Sequence, residues 1–125
     1  MPITLELREN NQVFYWVFSD PWSVADLLPL SKQVRAHFDS TSHRTHTLAN
    51  LRQTRHLPSN LLRIREIGTW DHPNSGQLVV VGAPAFAKTM LELIGRLVRF
   101  DRTHFYESEE AAWAFLRRAI AQDKG

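Results

Sequence analysis

The strand-turn-helix pattern between residues 77 and 100 constrains the fold of this chain more than any other feature. The run Leu78–Val81 is apolar and rich in β-branched residues, which is typical of a strand buried on both faces. Gly82 and Ala83 can turn the chain, and Pro84 suits the first position of a helix, where its missing N–H costs nothing. Apolar residues then recur at helical spacing and predict a helix with one buried face: Phe86, Met90, Leu93, Ile94 and Leu97. A strand followed at once by a helix belongs to a parallel βαβ sheet.

The composition limits the class of protein. A length of 125 residues predicts one domain, residues 1–125, and the apolar share of 43% is ordinary for a globular protein. The absence of cysteine excludes disulfides, thiolate catalysis and cysteine-bound metal. No apolar run reaches membrane-spanning length and no signal-peptide pattern opens the sequence, so we expect a cytoplasmic protein. A net charge of only +2 argues against a dedicated nucleic-acid-binding protein.

Two apolar segments at the start of the chain predict a β-hairpin. Ile3–Leu7 alternates apolar and polar residues, as a half-buried edge strand does, and Val13–Phe18 is apolar throughout. The polar turn between them is short enough to make the strands antiparallel. Ser23 and Asp26 then form a capping-box pattern at the start of a first helix, with Pro29 inside that helix.

The remaining segments complete an alternation of strands and helices. The order along the chain predicts a third strand at His46–Arg52, a second helix that starts at Pro58–Asn60, a fifth strand at Thr103–Tyr106 and a last helix capped by Ser108. The predicted order is β-β-α-β-α-β-α-β-α. The fold class is therefore α/β, a single domain with a mixed, mostly parallel sheet and an antiparallel edge strand at the amino terminus.

Four segments of this pattern resemble the STAS-like family, which groups the sulfate-transporter and anti-sigma-factor-antagonist domains. Asp26–Leu30 is similar to the proline-interrupted first helix of the family, and its second half is matched by Val79–Gly82, Thr103–Tyr106 and Glu109–Leu116. The resemblance implies a mixed sheet with right-handed crossovers. It also implies a non-enzymatic regulatory module that docks a regulatory kinase or another protein, in many members under the control of phosphorylation.

The resemblance further implies a working surface at the start of the second helix, where the family carries its phosphorylated residue. Within the corresponding turn only Ser59 matches in residue type, and the preceding acidic residue of the family is absent. As a phosphoacceptor, Ser59 would have Arg55, His56 and Arg63 as contacts for the phosphate or for the partner. The alternative, which the residues themselves favour, is a plain helix cap, because serine is common at that position.

The aromatic residues leave a second function open. Trp16, Trp22 and Phe38 would line a pocket between the first helix and the sheet, as in a carrier or sensor of a small apolar ligand. Exposed tryptophans would instead mark a protein interface, and a homodimer is among the interactions left open.

The sequence predicts no catalytic, metal or cofactor site. It lacks a nucleophile elbow, a phosphate-binding loop and the glycine spacing of a dinucleotide site. His37, His43 and His46 lie close in sequence, but their loop context favours solvated side chains over a zinc site. We therefore expect a non-enzymatic protein that binds a protein partner and neither nucleic acid nor membrane.

Overall fold

The computed structural model describes residues 2–124, which contain five strands, three α-helices and one 3₁₀ helix. The strands are β1 (Ile3–Arg8), β2 (Val13–Ser19), β3 (Thr45–Gln53), β4 (Ser75–Val81) and β5 (Thr103–Tyr106). The α-helices are α1 (Val24–Ser40), α2 (Ala85–Val98) and α3 (Glu109–Lys124), and the 3₁₀ helix spans Leu61–Glu66. The predicted α/β class and element order are confirmed.

The strands form one sheet in the order β1-β2-β3-β4-β5. β1 pairs antiparallel with β2, with Ile3 opposite Phe18, and each later pair is parallel. Glu9, Asn10 and Asn11 turn the hairpin with positive φ angles, a conformation that asparagine adopts more readily than most residues. The predicted mixed sheet with an antiparallel edge strand is therefore confirmed.

The helices cover the two faces of the sheet unequally. Because each parallel strand lies beside the strand before it, right-handed crossovers place α1, the 3₁₀ helix and α2 on one face. Phe14, Trp16 and Phe18 of β2 pack on that face. Val13 and Tyr15 pack on the other face, where the helix that contributes to the core is α3.

The capping box predicted for α1 is present. The Ser23 hydroxyl accepts a hydrogen bond from the Asp26 N–H, and the Asp26 carboxylate accepts one from the Ser23 N–H at 2.9 Å. Pro29 lies inside the helix, which continues to Ser40. The buried side chains of this helix are Val24, Leu27, Val34 and Phe38.

The second helix differs from the prediction. It is a six-residue 3₁₀ helix that begins at Leu61, with Asn60 as its cap residue, instead of an α-helix that begins near Pro58. Side chains three residues apart eclipse in a 3₁₀ helix, so Leu61, Ile64 and the following Ile67 form one apolar row against the core. The α-helix prediction is wrong, because the apolar residues that face the core repeat every three positions, which is the period of a 3₁₀ helix.

α2 turns a different face to the sheet from the one predicted. Phe86, Leu93 and Leu97 of the predicted stripe are 59%, 38% and 55% exposed. Ile94 is buried together with Ala87, which lies about 100° around the helix from Phe86. The prediction that the stripe is the buried face holds for Ile94 and is wrong for Phe86, Leu93 and Leu97, because apolar residues cover a wider arc of α2 than the sheet can contact.

The turn before α2 requires Gly82. Its φ of +71° is a backbone conformation that L side chains rarely adopt, and an added Cβ would lie 2.5 Å from Cγ of Arg52. Pro84 was predicted as the first residue of α2. It is instead the cap residue, and the helix begins one residue later, at Ala85.

Candidate functional site

An apolar cavity of about 160 Å³ lies between the sheet and the helical segments on its first face. Trp16, Ala49 and Val80 lie side by side in register on β2, β3 and β4 and form part of its floor. Because Ala49 carries only a methyl group between two larger neighbours, the floor is lower there. Leu27 and Phe38 of α1 cover the floor from above.

Aromatic rings form one wall of the cavity. Trp16 and Phe18 stack with ring centroids 5.8 Å apart, and the centroid of Phe18 lies 4.9 Å from that of Trp22. Trp22 donates its Nε1–H to the Thr54 hydroxyl at 3.1 Å, and that hydroxyl donates to the Phe18 carbonyl at 3.0 Å. Trp16, Trp22 and Phe38, the residues named from the sequence for such a pocket, all line the cavity.

The 3₁₀ helix and the turn after it form another wall, which was not predicted from the sequence. Leu61 and Ile64 point into the cavity. Trp70 donates its Nε1–H to the Ile64 carbonyl at 3.1 Å. Its ring packs edge-on against that of Phe100, with the ring centroids 5.4 Å apart. The spacing of three between Leu61, Ile64 and Ile67 is the sequence signal that would have identified this wall.

The turn that holds Ser59 does not cap a helix. Ser59 is exposed, the 3₁₀ helix begins two residues later, and no side chain within residues 2–124 caps it. The predicted Ser59 cap is therefore wrong, because Asn60 occupies the cap position without a side-chain hydrogen bond.

Carboxylates bind the residues on either side of this serine. Arg55 and His56 donate their backbone N–H groups to the Asp20 carboxylate at 2.7 and 3.3 Å. Arg63 pairs with Glu66 at 3.0 Å. All three basic residues are exposed. The Asp20 bonds involve only the backbone of Arg55 and His56, whereas the Arg63 side chain is itself paired with a carboxylate.

The face under α3 holds a polar network that the sequence did not reveal. Tyr15 donates its hydroxyl hydrogen to Glu109 at 2.9 Å, and Asn50 donates to both the Tyr15 hydroxyl and Glu109 at 3.3 Å. The Arg8 guanidinium lies 3.8 Å from the centroid of the Tyr15 ring. Burial is the main cause that raises the pKa of Tyr15, so its hydroxyl stays protonated. The hydrogen bond from that hydroxyl to Glu109 links β2 to α3.

The three histidines that lie close in sequence do not converge. His37 and His43 have ring centroids 6.2 Å apart, whereas His46 points to the opposite face and contacts Asp123. His46 is only 1% exposed, so the prediction of a solvated side chain is wrong for this residue. Within residues 2–124 no group of three or more histidine, aspartate or glutamate side chains is placed to hold a metal ion.

The exposed apolar residues of α2, Phe86, Leu93 and Leu97, form a surface that we call the α2 stripe. They lie seven and four positions apart and therefore share one face of the helix. The charged residues of the same helix are Lys88, Glu92 and Arg96. Large apolar side chains grouped in this way are typical of an interaction surface.

No protein-family model matches the chain, and no curated protein matches it in sequence. None of the helices in the described part of the chain is long and apolar enough to cross a membrane. The functional interpretation therefore depends on the geometry of the cavity and of the α2 stripe.

Proposed function

We propose that the protein binds a small apolar ligand in the cavity beneath α1 and works as a carrier or sensor of that ligand. The observation that carries this proposal is the cavity itself, about 160 Å³ in volume, with walls of tryptophan, phenylalanine, leucine and isoleucine. A cavity of about 150 Å³ lined by similar side chains binds benzene. The volume therefore suits a ligand built on one ring.

The energetics of packing support an occupied cavity. Protein interiors pack as densely as organic crystals, so an unfilled apolar volume of about 160 Å³ lacks the free energy that packing contacts supply. A ligand that contacts Trp16 and Val80 recovers part of that free energy. Binding should therefore raise the stability of the folded state as ligand is added.

Toluene is a suitable probe because it is apolar and carries one ring. Trp16, Trp22 and Trp70 line the cavity, so binding should change tryptophan fluorescence in a saturable way and raise the melting temperature. Ala49→Leu fills the lowest part of the floor and should abolish both effects. Ala114→Leu, on the exposed side of α3, adds the same atoms away from the cavity and should leave both unchanged.

Two results would count against this function. One is wild-type protein that shows neither response to toluene. The other is a folded Ala49→Leu variant that still responds. If Ala49→Leu does not fold, Ala49→Val adds less volume and should weaken the response in proportion.

The α2 stripe favours a second candidate function, that of a non-enzymatic regulatory module that binds a protein, as STAS-like domains do. Lys88 and Arg96 outnumber Glu92 among the charged residues of α2, although Lys88 also lies 3.6 Å from Glu107. The partner proposed is therefore a protein with an apolar ridge and an acidic residue that can pair with Arg96, such as a regulatory kinase. Phosphorylation belongs to this proposal at Ser59, whose exposed hydroxyl a kinase can reach.

A photo-crosslinking residue placed at Leu93 tests this second function in living cells. Capture of one acidic protein from position 93, and not from the exposed Ala114 on α3, would support it. Crosslinks between two copies of the chain would assign the stripe to a homodimer instead. Equal capture from both positions would contradict a specific partner.

A further inference from the structure

We propose that the ligand of this cavity is a small neutral phenol or aromatic alcohol, with its ring between the aromatic walls and its hydroxyl at the end of the cavity where β3 and β4 start. This inference rests on the proposed ligand-binding function and makes it specific. The polar groups that line the cavity determine it, because they are not evenly distributed.

Three residues with hydroxyl groups line the cavity on this side: Thr47 on β3, Ser75 on β4, and Thr69 in the turn after the 3₁₀ helix. The irregular pairing of β3 with β4, in which Thr45 is opposite Ser75 and Thr47 is opposite Leu78, brings Ser75 onto the cavity face. Consecutive backbone hydrogen bonds then join Thr69 to Ser75 through His72.

These hydroxyls differ from the other polar groups of the wall. The indole N–H groups of Trp22 and Trp70 are both donated within the protein, and the Ser31 hydroxyl donates to the Leu28 carbonyl. By contrast, the hydroxyls at the β3–β4 end have no hydrogen-bond partner among residues 2–124. No buried side-chain nitrogen or oxygen in this part of the chain lacks a partner, so these hydroxyls are accessible and are not sealed in the core. All three residues line the cavity.

The chemistry of the wall selects a neutral group. A serine or threonine hydroxyl both donates and accepts, so a cluster of them satisfies a ligand hydroxyl in either role. The side chains of residues 2–124 that line the cavity carry no formal charge, so a carboxylate or ammonium would lose its hydration without an ion-pair partner. The stacked pair Trp16 and Phe18 suits a flat ring.

Toluene and p-cresol differ by one hydroxyl and provide the test. We expect p-cresol to bind the wild-type protein about tenfold more tightly than toluene, the ratio that one satisfied hydrogen bond gives. The double variant Thr47→Val, Ser75→Ala should bring that ratio to about one while it still binds toluene. Thr89→Val, on the exposed face of α2, should keep the wild-type ratio.

The outcomes separate this inference from the function on which it rests. Equal affinity for toluene and p-cresol would overturn the inference and leave ligand binding intact, whereas no binding of either would overturn both. Tighter binding of p-toluate than of p-cresol would also contradict a neutral ligand. If the double variant does not fold, the single isosteric change Thr47→Val gives the same comparison with a smaller drop in the ratio.

Discussion

The imidazole of His46 lies 2.7 Å from the carboxylate of Asp123 and joins the start of β3 to the last turn of α3. Nδ1 of His46 accepts the backbone N–H of Gln77 at 2.8 Å, so the neutral ring carries its proton on Nε2 and donates it to Asp123. A carboxylate at the carboxyl end of a helix is unfavourable for the helix dipole. The bond to His46 gives Asp123 a stabilising role in spite of that position.

Removal of this acceptor should destabilise the fold. We expect Asp123→Ala to lower the free energy of unfolding by about 1–3 kcal/mol, because it leaves the N–H of a buried ring without a partner. Asp123→Asn keeps an acceptor oxygen and should cost less. Urea denaturation measures both, and Glu66→Ala, which breaks only the exposed pair with Arg63, is the control with an expected change within about 0.5 kcal/mol. Equal losses for Asp123→Ala and Glu66→Ala would show that the His46 bond contributes little.

Two serines in similar sequence contexts should respond differently to alanine. Ser23 caps α1 with a complete capping box, so Ser23→Ala should cost about 1 kcal/mol. Ser59 precedes a 3₁₀ helix that it does not cap, so Ser59→Ala should change stability by less than about 0.5 kcal/mol. Chemical denaturation of the two variants side by side checks this, and a larger loss at Ser59 would restore its role as a cap.

The orientation of α2 predicts opposite effects at two apolar residues three positions apart. Ile94 is fully buried, so Ile94→Asp should prevent folding by placing an unpaired charge in the core. Leu97 is 55% exposed, so Leu97→Asp should fold with a circular dichroism spectrum like that of the wild type. Loss of folding in both variants would mean that the α2 stripe is buried after all.

Stability should decrease as the solution becomes mildly acidic. Burial lowers the pKa of His104 below its ordinary value of 6.5, and burial is also the largest cause of the lowered pKa of His37. The unfolded chain then binds these protons at a higher pH than the folded chain, so stability is full above pH 6.5 and falls below it. Urea midpoints measured between pH 7.5 and pH 5 test this. His104→Gln should show a smaller decrease, and an unchanged pH dependence in that variant would contradict the contribution of His104.

Most of the fold could be predicted from the sequence because its strong signals are local. The apolar run at Leu78–Val81, the turn at Gly82 and the capping box at Ser23 each specify their own segment without reference to distant residues. The sequence was misleading where apolar residues cover a wide arc of a helix, because their helical spacing then does not identify the buried face. The apolar residues of α2 span more of its surface than a helix on one sheet can bury, and the sequence does not say which part of that arc meets the sheet.

The candidate site was harder to predict because it depends on distant residues and on small ones. The aromatic residues of the wall were identifiable from their types, but the volume exists because Ala49 lies between Trp16 and Val80 in three paired strands. The network of Tyr15 and Glu109 joins residues 94 positions apart. Neither arrangement produces a periodic pattern of residues along the sequence from which it could be predicted.

The unequal cover of the sheet has a consequence for synthesis. The buried side chains of Val13, Leu48 and Val79 depend on α3 for cover, and α3 is the last element in chain order. A growing chain that has reached Tyr106 therefore contains all five strands of its sheet. One apolar face of that sheet is still uncovered. Until residues 109–124 emerge from the ribosome, that face is available to chaperones and to other nascent chains, so the core can be completed only after all five strands have been synthesised.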